Sequence, residues 1–547
     1  MTAAGFGIDL GTTNSVIARL EEGRAIPIPI DGSPIVPSIV LFDAGRVVVG
    51  REARNLELLH PERTIRSAKR RMGQPHRYRV DGRELAPEEV SAEVLRALKQ
   101  GAEQATGEPV REVVITVPAY FDDAQRRATL RAGELAGLEV LRLLNEPTSA
   151  SLVYEQAVAG TGGERPELVL VYDLGGGTFD VSVLEVFQGV REVRATAGNT
   201  ALGGDDFDER LVRVFLEALQ REHAFDARES PQAMARLRRA AESAKIRLSA
   251  DTQVAVREEF LATHRGQPIH LALDVTRRQL EGTIQPLLDS TLELCRRALA
   301  DAGVDARHLH RVCLVGGSTR IPRVRAMLEE AFGVEVHQEI DPDLAVGLGA
   351  AVQAGLLKGA RVERILVDVA SRSLGIRVRG PRELPFAAPE TFAPVLRRNT
   401  ALPAVAADEF YTEHDEQERL DVQVFQGESR RVSENTPVGS FSFPLEPRPA
   451  GSPVRVEFAY DLNGVVRVSV SQPGTANAKT VALSVTDGGG SAVQRKARAL
   501  LPTLREDARA RLEVLLRQLE EAGESGREEA EDALLDFFTE LEAGGAS

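Results

Sequence analysis

The chain has 547 residues, a hydrophobic fraction of 43%, a charged fraction of 27% and a formal net charge of −15. A chain of this length is too long for one hydrophobic core, so two or more domains are expected. The two fractions are typical of a soluble globular protein. The acidic balance argues against a broad surface for nucleic acid or for anionic membranes.

Cysteine usage and the start of the chain bear on its compartment. Only Cys295 and Cys313 are present, which is too few for a disulfide framework and indicates a reducing compartment. The first residues carry no basic region followed by an apolar stretch, so no signal peptide is visible. No apolar run approaches the roughly 20 residues that span a bilayer. We therefore expect a cytoplasmic protein.

The first 360 residues alternate between strand-like and helix-like segments. A β-branched run at Val113–Val117 is followed by a helical composition from Ala124 to Ala136. Further strand-like runs lie at 168–172, 181–186 and 312–315. Such alternation predicts an α/β architecture with helices packed on sheets.

The pattern changes after a short segment at 361–370, which we interpret as a linker. Helical periodicity then disappears, and the segment 371–486 alternates apolar and polar residues. Within it, Asn463-Gly464 supplies a positive-φ turn between two strand-like runs. This segment is predicted to form an antiparallel β-sandwich.

A tail occupies residues 487–547. One helical face is marked by leucines at positions 504, 512, 515, 516 and 519. The tail is therefore predicted to be a short helical lid.

Three glycine-rich segments carry the main chemical signal, at Gly7–Ser15, Tyr172–Asp180 and Leu314–Pro322. In the first two, a strand-like run is followed by a carboxylate and then by small or hydroxyl residues. This pattern predicts β-hairpins whose tips let backbone N–H groups approach phosphate oxygens. Asp9 and Asp173 would place hard oxygen ligands where Mg²⁺ accompanies phosphate.

A single segment of this kind is usually only a tight turn. Two acidic examples far apart in the chain, with a third glycine-rich segment, predict two similar lobes that face each other across a phosphate-binding cleft. The pattern Gly-x-x-x-x-Gly-Lys-Ser/Thr is absent from the sequence, so this is not a P-loop.

The segments IDLGTTNS, ITVPAYFDDAQRRAT, LNEPTSAS, YDLGGGTFD and LGGDDFD resemble those of the 70-kilodalton heat-shock chaperone family, in its DnaK-like bacterial branch. The resemblance implies an actin-like, ribonuclease H-like ATPase of two lobes over residues 1–360, followed by the linker, the β-sandwich and the tail. It further implies that ATP, with Mg²⁺, drives the binding and release of extended apolar segments of unfolded polypeptides.

The resemblance assigns roles to individual positions. Residues implied in catalysis are Asp9, Lys69, Glu146, Asp173, Thr178 and Asp180. Residues implied in nucleotide binding are Gly11, Thr12, Thr13, Asn14, Gly176, Gly177, Gly204, Glu242, Lys245, Ser249, Gly316, Gly317, Ser318, Arg320 and Asp343. Asp9 and Asp173 would also hold Mg²⁺ through its water. On residue type alone, Lys69 would be interpreted as part of a solvated charge run.

The resemblance also implies a peptide site and a coupling route. The peptide-binding residues would be Ile376, Phe410 and Leu420, which could equally be ordinary sandwich core. The coupling residues would be Pro118, Arg126, Arg142, Ile365, Leu366, Val367 and Asp368. Of these, Arg142 and Asp368 would contact a J-domain co-chaperone, and a nucleotide-exchange factor is a further possible partner.

Several departures suggest a specialised bacterial paralogue. The segment between Gly73 and Glu88 is short, which puts contacts with an exchange factor in doubt. Arg379, Tyr411 and Glu413 stand near the peptide pocket where smaller or apolar residues are expected, so peptide preference is expected to differ. The tail is about half the usual helical lid, which is expected to trap peptides less durably.

Two other functions compete with the chaperone interpretation. A small-molecule kinase of the same superfamily would need no β-sandwich. A scaffold or regulator that only binds ATP would not need the complete set of catalytic residues.

Overall fold

The computed structural model describes residues 5–43, 45–154, 166–338, 340–360, 365–379, 390–483 and 506–521, together with Leu534 and Phe537. Its contacts divide the chain into two compact units, residues 1–484 and 485–547. The first unit holds both the α/β part and the β-sandwich, so the finer boundaries at 360 and 370 stay a prediction. No helix in the described ranges combines the length and apolar character needed to cross a bilayer.

The first lobe is built around a six-stranded sheet. The strands of this lobe are β1 (Gly5–Asp9), β2 (Asn14–Glu21), β3 (Arg24–Pro27), β4 (Val36–Pro37), β5 (Ile39–Asp43), β6 (Arg46–Val49), β7 (Thr64–Arg66), β8 (Tyr78–Val80), β9 (Arg83–Leu85), β10 (Glu112–Val117) and β11 (Glu139–Asn145). Strands β5 to β7 form a separate three-stranded sheet, and β8 and β9 form a separate hairpin. Its helices are α1 (Arg51–Leu56), α2 (Pro87–Thr106), α3 (Asp123–Leu135) and α4 (Glu146–Tyr154). The sheet order is β11-β10-β1-β2-β3, with β4 paired to β2.

The second lobe repeats this plan. Its elements are β12 (Glu167–Leu174), β13 (Phe179–Phe187), β14 (Val190–Asn199), α5 (Gly204–His223), α6 (Pro231–Leu248), β15 (Gln253–His264), β16 (Gln267–Thr276), α7 (Arg277–Ala302), β17 (Arg311–Val315), α8 (Pro322–Phe332), β18 (Val336–His337), α9 (Ala345–Leu357) and β19 (Ile365–Val367). The order β18-β17-β12-β13-β14-β19 places an antiparallel hairpin beside a parallel strand, as β1-β2 lies beside β10. The predicted α/β architecture with twin hairpins is confirmed.

Local sequence explains where the helix α3 begins. The Asp122 carboxylate accepts a hydrogen bond from the Gln125 backbone N–H at 2.9 Å, and the Gln125 side chain accepts one from the Asp122 N–H at 3.0 Å. This reciprocal capping satisfies two backbone donors that the first turn leaves unpaired. The turn before this helix contacts the second hairpin, because the Tyr120 N–H donates to Asp180 Oδ1 at 3.0 Å, so the capped end of α3 has a fixed position near that hairpin.

Helices α4 and α9 join the two lobes. One hydrophobic cluster contains Val114 of the first sheet, Val171 of the second sheet and apolar residues of both helices. Glycines allow the close packing: a Cβ on Gly349 of α9 would lie 1.8 Å from the Ser149 carbonyl oxygen of α4, and one on Gly7 of β1 would lie 2.1 Å from the α9 backbone. The helices therefore leave no room for side chains at these two positions.

The β-sandwich has two four-stranded antiparallel sheets. Its strands are β20 (Leu374–Arg379), β21 (Glu390–Leu396), β22 (Ala404–Tyr411), β23 (Arg419–Gln426), β24 (Thr436–Pro444), β25 (Pro453–Tyr460), β26 (Val466–Ser471) and β27 (Ala478–Ala482). The orders are β21-β20-β23-β24 and β22-β25-β26-β27. The predicted sandwich is confirmed, and so is the turn before β26, where Gly464 alone has the positive φ, at 73°.

The second unit contains the helix α10 (Glu506–Glu521) among its described residues. Leu512, Leu516 and Leu519 are buried on one face of it, as the leucine spacing predicted. Leu534 and Phe537 are also buried. The rest of the predicted tail, like residues 361–364 of the predicted linker, lies outside the described residues.

Substituting Gly349 with alanine is expected to destabilise the protein, because the new Cβ would collide with the α4 backbone. Overpacking of this kind costs about 1–3 kcal/mol, so the melting temperature of the full chain should fall in differential scanning calorimetry. Gly282→Ala in α7 is the control, since no heavy atom lies within 4 Å of its Cβ position. Alanine favours that helix by about 0.5–1 kcal/mol. Equal melting temperatures for the two variants would contradict the packing argument.

Candidate active site

The tips of the two hairpins bring carboxylates to the cleft between the lobes. Asp9 ends β1, and its Oδ1 accepts a hydrogen bond from the Thr116 hydroxyl at 2.9 Å. Gly11 follows in the turn toward β2. In the second lobe, Asp173 of β12 lies directly opposite Asp180 of β13 in the antiparallel register. Two strands from each lobe thus fix the positions of these side chains.

The cleft is a cavity of about 280 Å³. Most residues predicted for the nucleotide site line it: Asp9, Gly11, Thr12, Thr13, Asn14, Lys69, Glu146, Asp173, Gly176, Thr178, Glu242, Lys245, Ser249, Gly316, Gly317, Ser318, Arg320 and Asp343. Residues that line it without having been predicted are Gly175, Asp205, Ile246, Ile321, Pro342 and Val346. The fold therefore gathers segments that are far apart in the sequence.

Three predicted residues lie just behind the cavity wall. Asp180 is buried, and its Oδ1 accepts a hydrogen bond from the Tyr120 N–H at 3.0 Å. A Cβ on Gly177 would lie 2.5 Å from the side chain of Thr12, so only glycine allows this approach. Gly204 begins α5. These residues support the cavity wall.

Lys69 is buried against an acidic partner. Its Nζ donates to Glu146 Oε1 at 2.5 Å, and its side chain is only 5% exposed. The backbone bends sharply just before it, because Ser67 has a φ of 51°. The Ser67 hydroxyl donates to Asp205 Oδ2 of the second lobe at 2.7 Å. The chain thus turns inward within the basic run, and the ammonium group of Lys69 lies in the cleft.

The carboxylates around Lys69 have strongly shifted pKa values. Burial, followed by repulsion from Glu146, raises the pKa of Asp180 to about 8. The same two causes raise the pKa of Asp9 to about 7 and hold the pKa of Asp173 well above its usual range. One ammonium group therefore does not neutralise this cluster.

The donor set suits a hard divalent cation. Asp173 Oδ2 is buried and lacks a hydrogen-bond partner among the described residues. It faces the same cavity as Asp9. Carboxylate oxygens are the ligands that Mg²⁺ prefers, and two of them leave room for the water that this ion retains.

Glu242 of α6 connects the two lobes at the mouth of the cleft. Its carboxylate forms ion pairs with Arg54 of α1 at 2.8 Å and with Arg66 of β7 at 3.3 Å. Arg66 also contacts Glu57 at 3.3 Å. The residue implied in nucleoside binding is therefore also a bridge to the opposite lobe.

The other residues at this end are held by short ion pairs. Lys245 Nζ lies 2.8 Å from Asp208 Oδ2, and Arg320 Nη2 lies 2.9 Å from Asp343 Oδ2. Ile246 lies beside them and is 58% exposed. This exposed side chain also lines the cavity, so it offers apolar contact area to an aromatic group bound there.

The linker segment joins the second lobe as a strand. β19 pairs in parallel with β14, with Ile365 opposite Val190. Leu366 and Val367 are half-buried, whereas Ile365 is 61% exposed. The three predicted coupling residues of the linker thus extend the sheet that carries Asp173.

Asp368 follows β19 and reaches the first lobe. Its Oδ2 accepts from Asn145 Nδ2 at 2.9 Å, and Asn145 Oδ1 accepts from Arg126 Nη2 at 2.7 Å. Burial raises the pKa of Asp368 and lowers that of Arg142. Pro118 is buried nearby, in the turn before α3. Four of the predicted coupling residues, Pro118, Arg126, Arg142 and Asp368, therefore lie around the start of α3 and β11, whereas the three residues of β19 lie on the second sheet.

The sandwich contacts both lobes directly. Asp123, at the start of α3, donates its N–H to Gln426 Oε1 and accepts from the Val466 N–H with its Oδ1, both at 3.3 Å. Arg398 binds Asp301 of α7 with both terminal nitrogens, at 2.6 and 2.7 Å. A bidentate arginine pair is geometrically specific, so these contacts define one docked arrangement.

The three residues implied in peptide binding lie on two different sheets. Ile376 of β20 and Leu420 of β23 belong to one sheet, and Phe410 of β22 belongs to the other. Ile376 is 5% exposed. Beyond them, Arg379 Nη1 lies 2.8 Å from Glu413 Oε2, so the two unexpected charges near the predicted pocket pair with each other.

Sequence reasoning did not identify several residues of the site and its coupling surface. Asp205 was identifiable, because it lies inside the quoted segment LGGDDFD. Asp123 lies inside ITVPAYFDDAQRRAT, but nothing local indicates that a distant strand will bury it. Asp301 and Arg398 carry no motif, since both are ordinary charged residues 97 positions apart.

Comparison with known proteins identifies relatives over most of the chain. The family model described as Hsp70 protein matches residues 5–80 and 76–513. Proteins named "Chaperone protein DnaK" from Thermotoga petrophila, Thermotoga sp. strain RQ2 and Thermotoga maritima are 44% identical over 488 residues. Each alignment covers 87% of this chain and 80% of the relative.

The shifted carboxylates predict a pH dependence for the chain without nucleotide or metal. An unfolded aspartate ionises near pH 4, whereas Asp180 has a pKa of about 8 in the folded state. Between these values the folded protein holds a proton that the unfolded chain releases, so the free energy of unfolding falls as pH rises. In the Asp180→Asn variant, the free energy of unfolding should therefore fall less steeply with pH, by up to about 1.4 kcal/mol per pH unit.

Urea unfolding in EDTA at pH 5, 6, 7 and 8 measures this slope. Asp226→Asn is the control, because its exposed carboxylate has a pKa lowered by hydrogen bonds from Arg228 and is ionised throughout this range. Parallel curves for wild type and Asp180→Asn would contradict the assigned pKa.

Proposed function

Because this chain belongs to the Hsp70 family, we propose that its cleft binds ATP and Mg²⁺ and that hydrolysis there changes the affinity of its β-sandwich for unfolded polypeptide. The chain is an ATP-dependent molecular chaperone and an ATPase. Family membership decides against the small-molecule kinase and the scaffold. The observation that carries the proposed cycle is the strand β19, which places the linker in the sheet that bears Asp173.

Hydrolysis in this cleft would depend on positioning and charge. Asp9 and Asp173 would hold the metal through its water, and backbone N–H groups at Gly11 and Gly176 would bind phosphate oxygens. When bound, Mg²⁺ neutralises charge that develops on the transferred phosphoryl group. Lys69, held by Glu146, would orient the attacking water near the γ-phosphate. Thr178 would donate its hydroxyl to the γ-phosphate.

The two domains would communicate through the docked arrangement. ATP can change peptide affinity only if it favours one arrangement of the domains over another. The contacts of Asp368 with Asn145 and of Arg398 with Asp301 would be present in one arrangement and lost in the other. We infer that ATP favours docking and that hydrolysis releases the linker. ATP would then open the peptide site, and hydrolysis would close it.

The peptide site would lie in the sandwich. An extended chain can bind through its backbone, with an apolar side chain in a pocket lined by Ile376, Phe410 and Leu420. The Arg379–Glu413 ion pair and the 62% exposed Tyr411 would stand beside it. Polar groups there would favour peptides with charged or hydrogen-bonding residues beside the apolar one.

Partners and location are proposed by resemblance. Arg142 and Asp368 would contact a J-domain co-chaperone, although each is only 6% exposed in this docked arrangement. An exchange factor would need contacts other than those usually made by the segment between Gly73 and Glu88. The tail at 487–547 would act as a short lid. A cytoplasmic location fits these partners.

Replacing Lys69 with alanine is expected to slow single-turnover ATP hydrolysis by roughly 100-fold or more, the usual effect of removing one preorganised charge donor. Arg71→Ala is the matched control, because Arg71 lies in the same basic run but is exposed and bonds Gln74. Its hydrolysis rate should remain near that of wild type. Equal rates for Lys69→Ala and wild type would refute the role assigned to Lys69.

Peptide release tests the proposed cycle. A labelled apolar peptide bound to the full chain in ADP should dissociate at least about 10-fold faster after ATP and Mg²⁺ are added, within the usual range of allosteric coupling. Asp173→Asn should lose most of this acceleration, because a metal-binding carboxylate is absent. Stopped-flow fluorescence measures the rate, and release that does not respond to ATP in the wild type would exclude the cycle.

A further inference from the structure

Arg191 of β14 is completely buried, with 0% exposure. In the sheet it lies between Val186 of β13 and Leu366 of the linker strand β19. Charged side chains are rarely buried so fully unless their donors are bonded. Neither the nucleotide cleft nor the sandwich contacts described above involve this guanidinium.

The guanidinium bonds two carbonyl groups that belong to different elements. Its Nε donates to the Ser151 carbonyl oxygen of α4 at 3.1 Å. Its Nη1 donates to the Gly189 carbonyl oxygen at 3.2 Å. The same Gly189 oxygen accepts the backbone N–H of Ile365, the first residue of β19, at 3.1 Å. One buried side chain therefore connects α4 with the carbonyl that anchors the linker strand.

The other end of α4 lies in the cleft. The helix begins at Glu146, whose carboxylate binds Lys69 beside the cavity. Ser151 is five residues further along, a rise of about 7.5 Å at 1.5 Å per residue. A hydrogen-bonded helix moves as a unit over this distance. A change in the contacts of Glu146 therefore displaces the Ser151 carbonyl as well.

Packing connects the same two elements. Leu152 and Val153 of α4 belong to a buried cluster against which Leu366 of β19 packs. Leu366 is also the residue directly opposite Arg191 in the parallel register. The linker strand thus lies beside Arg191 in the sheet and packs on the core that α4 helps to form. Undocking β19 would uncover a desolvated charge.

We propose that Arg191 is a positioning residue that couples the location of α4 in the ATP site to docking of the linker strand. The proposal deepens the proposed function and rests on its cycle. Arg191 acts through the Ser151 and Gly189 carbonyls and contacts neither nucleotide nor peptide. A movement of α4 that breaks the hydrogen bond from Arg191 to the Ser151 carbonyl also weakens the hydrogen bond from Arg191 to the Gly189 carbonyl. The Gly189 carbonyl is then less well positioned to accept the backbone N–H of Ile365.

Hydrogen exchange of the backbone amides at 365–367 tests this role in the full chain, with ATP and with ADP. In Arg191→Met, ATP-dependent protection of these amides should fall about 10-fold, as expected for loss of one charge-assisted hydrogen bond. ATP-accelerated peptide release should fall with it, and because coupling between ATP binding and docking is reciprocal, ATP affinity should fall by no more than the same tenfold, equivalent to about 1.4 kcal/mol. Arg194→Met is the control, because Arg194 lies on the same strand but is 42% exposed. It should retain wild-type behaviour.

Arg191→Lys separates hydrogen bonding from packing, because its ammonium keeps the charge but lacks the planar fork that reaches both carbonyls. Protection should lie between that of wild type and Arg191→Met. Protection no better than in Arg191→Met would overturn the proposal, since loss of packing would then explain the effect. If Arg191→Met does not fold, linker protection in Arg191→Lys equal to that of the wild type would also overturn the proposal.

The two readouts separate this inference from the proposed function. If the rate of peptide release from the wild type does not change with ATP, the proposed cycle is excluded. Hydrogen exchange at residues 365–367 still tests the role of Arg191 in that case. Wild-type release that responds to ATP, with unchanged protection and release in Arg191→Met, overturns the inference alone. If the linker amides of the wild type are protected equally in ATP and ADP, the coupling assigned to Arg191 is wrong.

Discussion

The two lobes bring the carboxylates of Asp9, Glu146, Asp173 and Asp180 around one buried ammonium group, that of Lys69. Repulsion among these carboxylates and their loss of hydration oppose closure of the cleft. In the proposed function, a bound metal ion would supply positive charge beside these carboxylates, and phosphate oxygens would accept hydrogen bonds from the backbone N–H groups of the hairpin tips. Ligand binding would then favour the closed cleft electrostatically.

Helices α4 and α9 connect the charged cleft to the rest of the molecule. Both helices pack between the sheets at contacts that tolerate only glycine, as at Gly349. Packing this close transmits small displacements instead of absorbing them. The linker strand and the sandwich rest on the same framework, with Asp123 and Arg398 as polar contacts at its surface. The positions of the cleft residues and the docking of the sandwich thus both depend on the packing of α4 and α9 between the sheets.

The sequence allowed most of the fold and the cleft to be predicted, because those features depend on local patterns. Alternating segments indicated the α/β part, and Asn463-Gly464 indicated a hairpin that the structure contains. The acidic hairpins predicted part of the lining of the cavity, and the family resemblance supplied other lining residues such as Glu242 and Lys245. Lys69 was recognisable only through family resemblance, since a basic run normally stays in water.

Features that depend on distant packing could not be predicted in the same way. The burial of Arg191 contradicts the usual preference of arginine for the surface, and it depends on hydrogen bonds to Ser151 and Gly189 and on pairing of β14 with the distant strand β19. The bond between Asp301 and Arg398 joins two charges without any motif around them. Ile376, Phe410 and Leu420 stay predictions for the peptide site, because strand assignments alone do not define a groove.

The bridge from Glu242 to Arg54 and Arg66 has a consequence for how long a nucleotide stays bound. If the lobes part when a nucleotide leaves, this carboxylate would separate from both guanidinium groups. Partly exposed ion pairs weaken as dissolved salt increases. In the proposed cycle, the lifetime of the ADP-bound form would therefore depend on ionic strength, and salt stress would change the rate of nucleotide exchange.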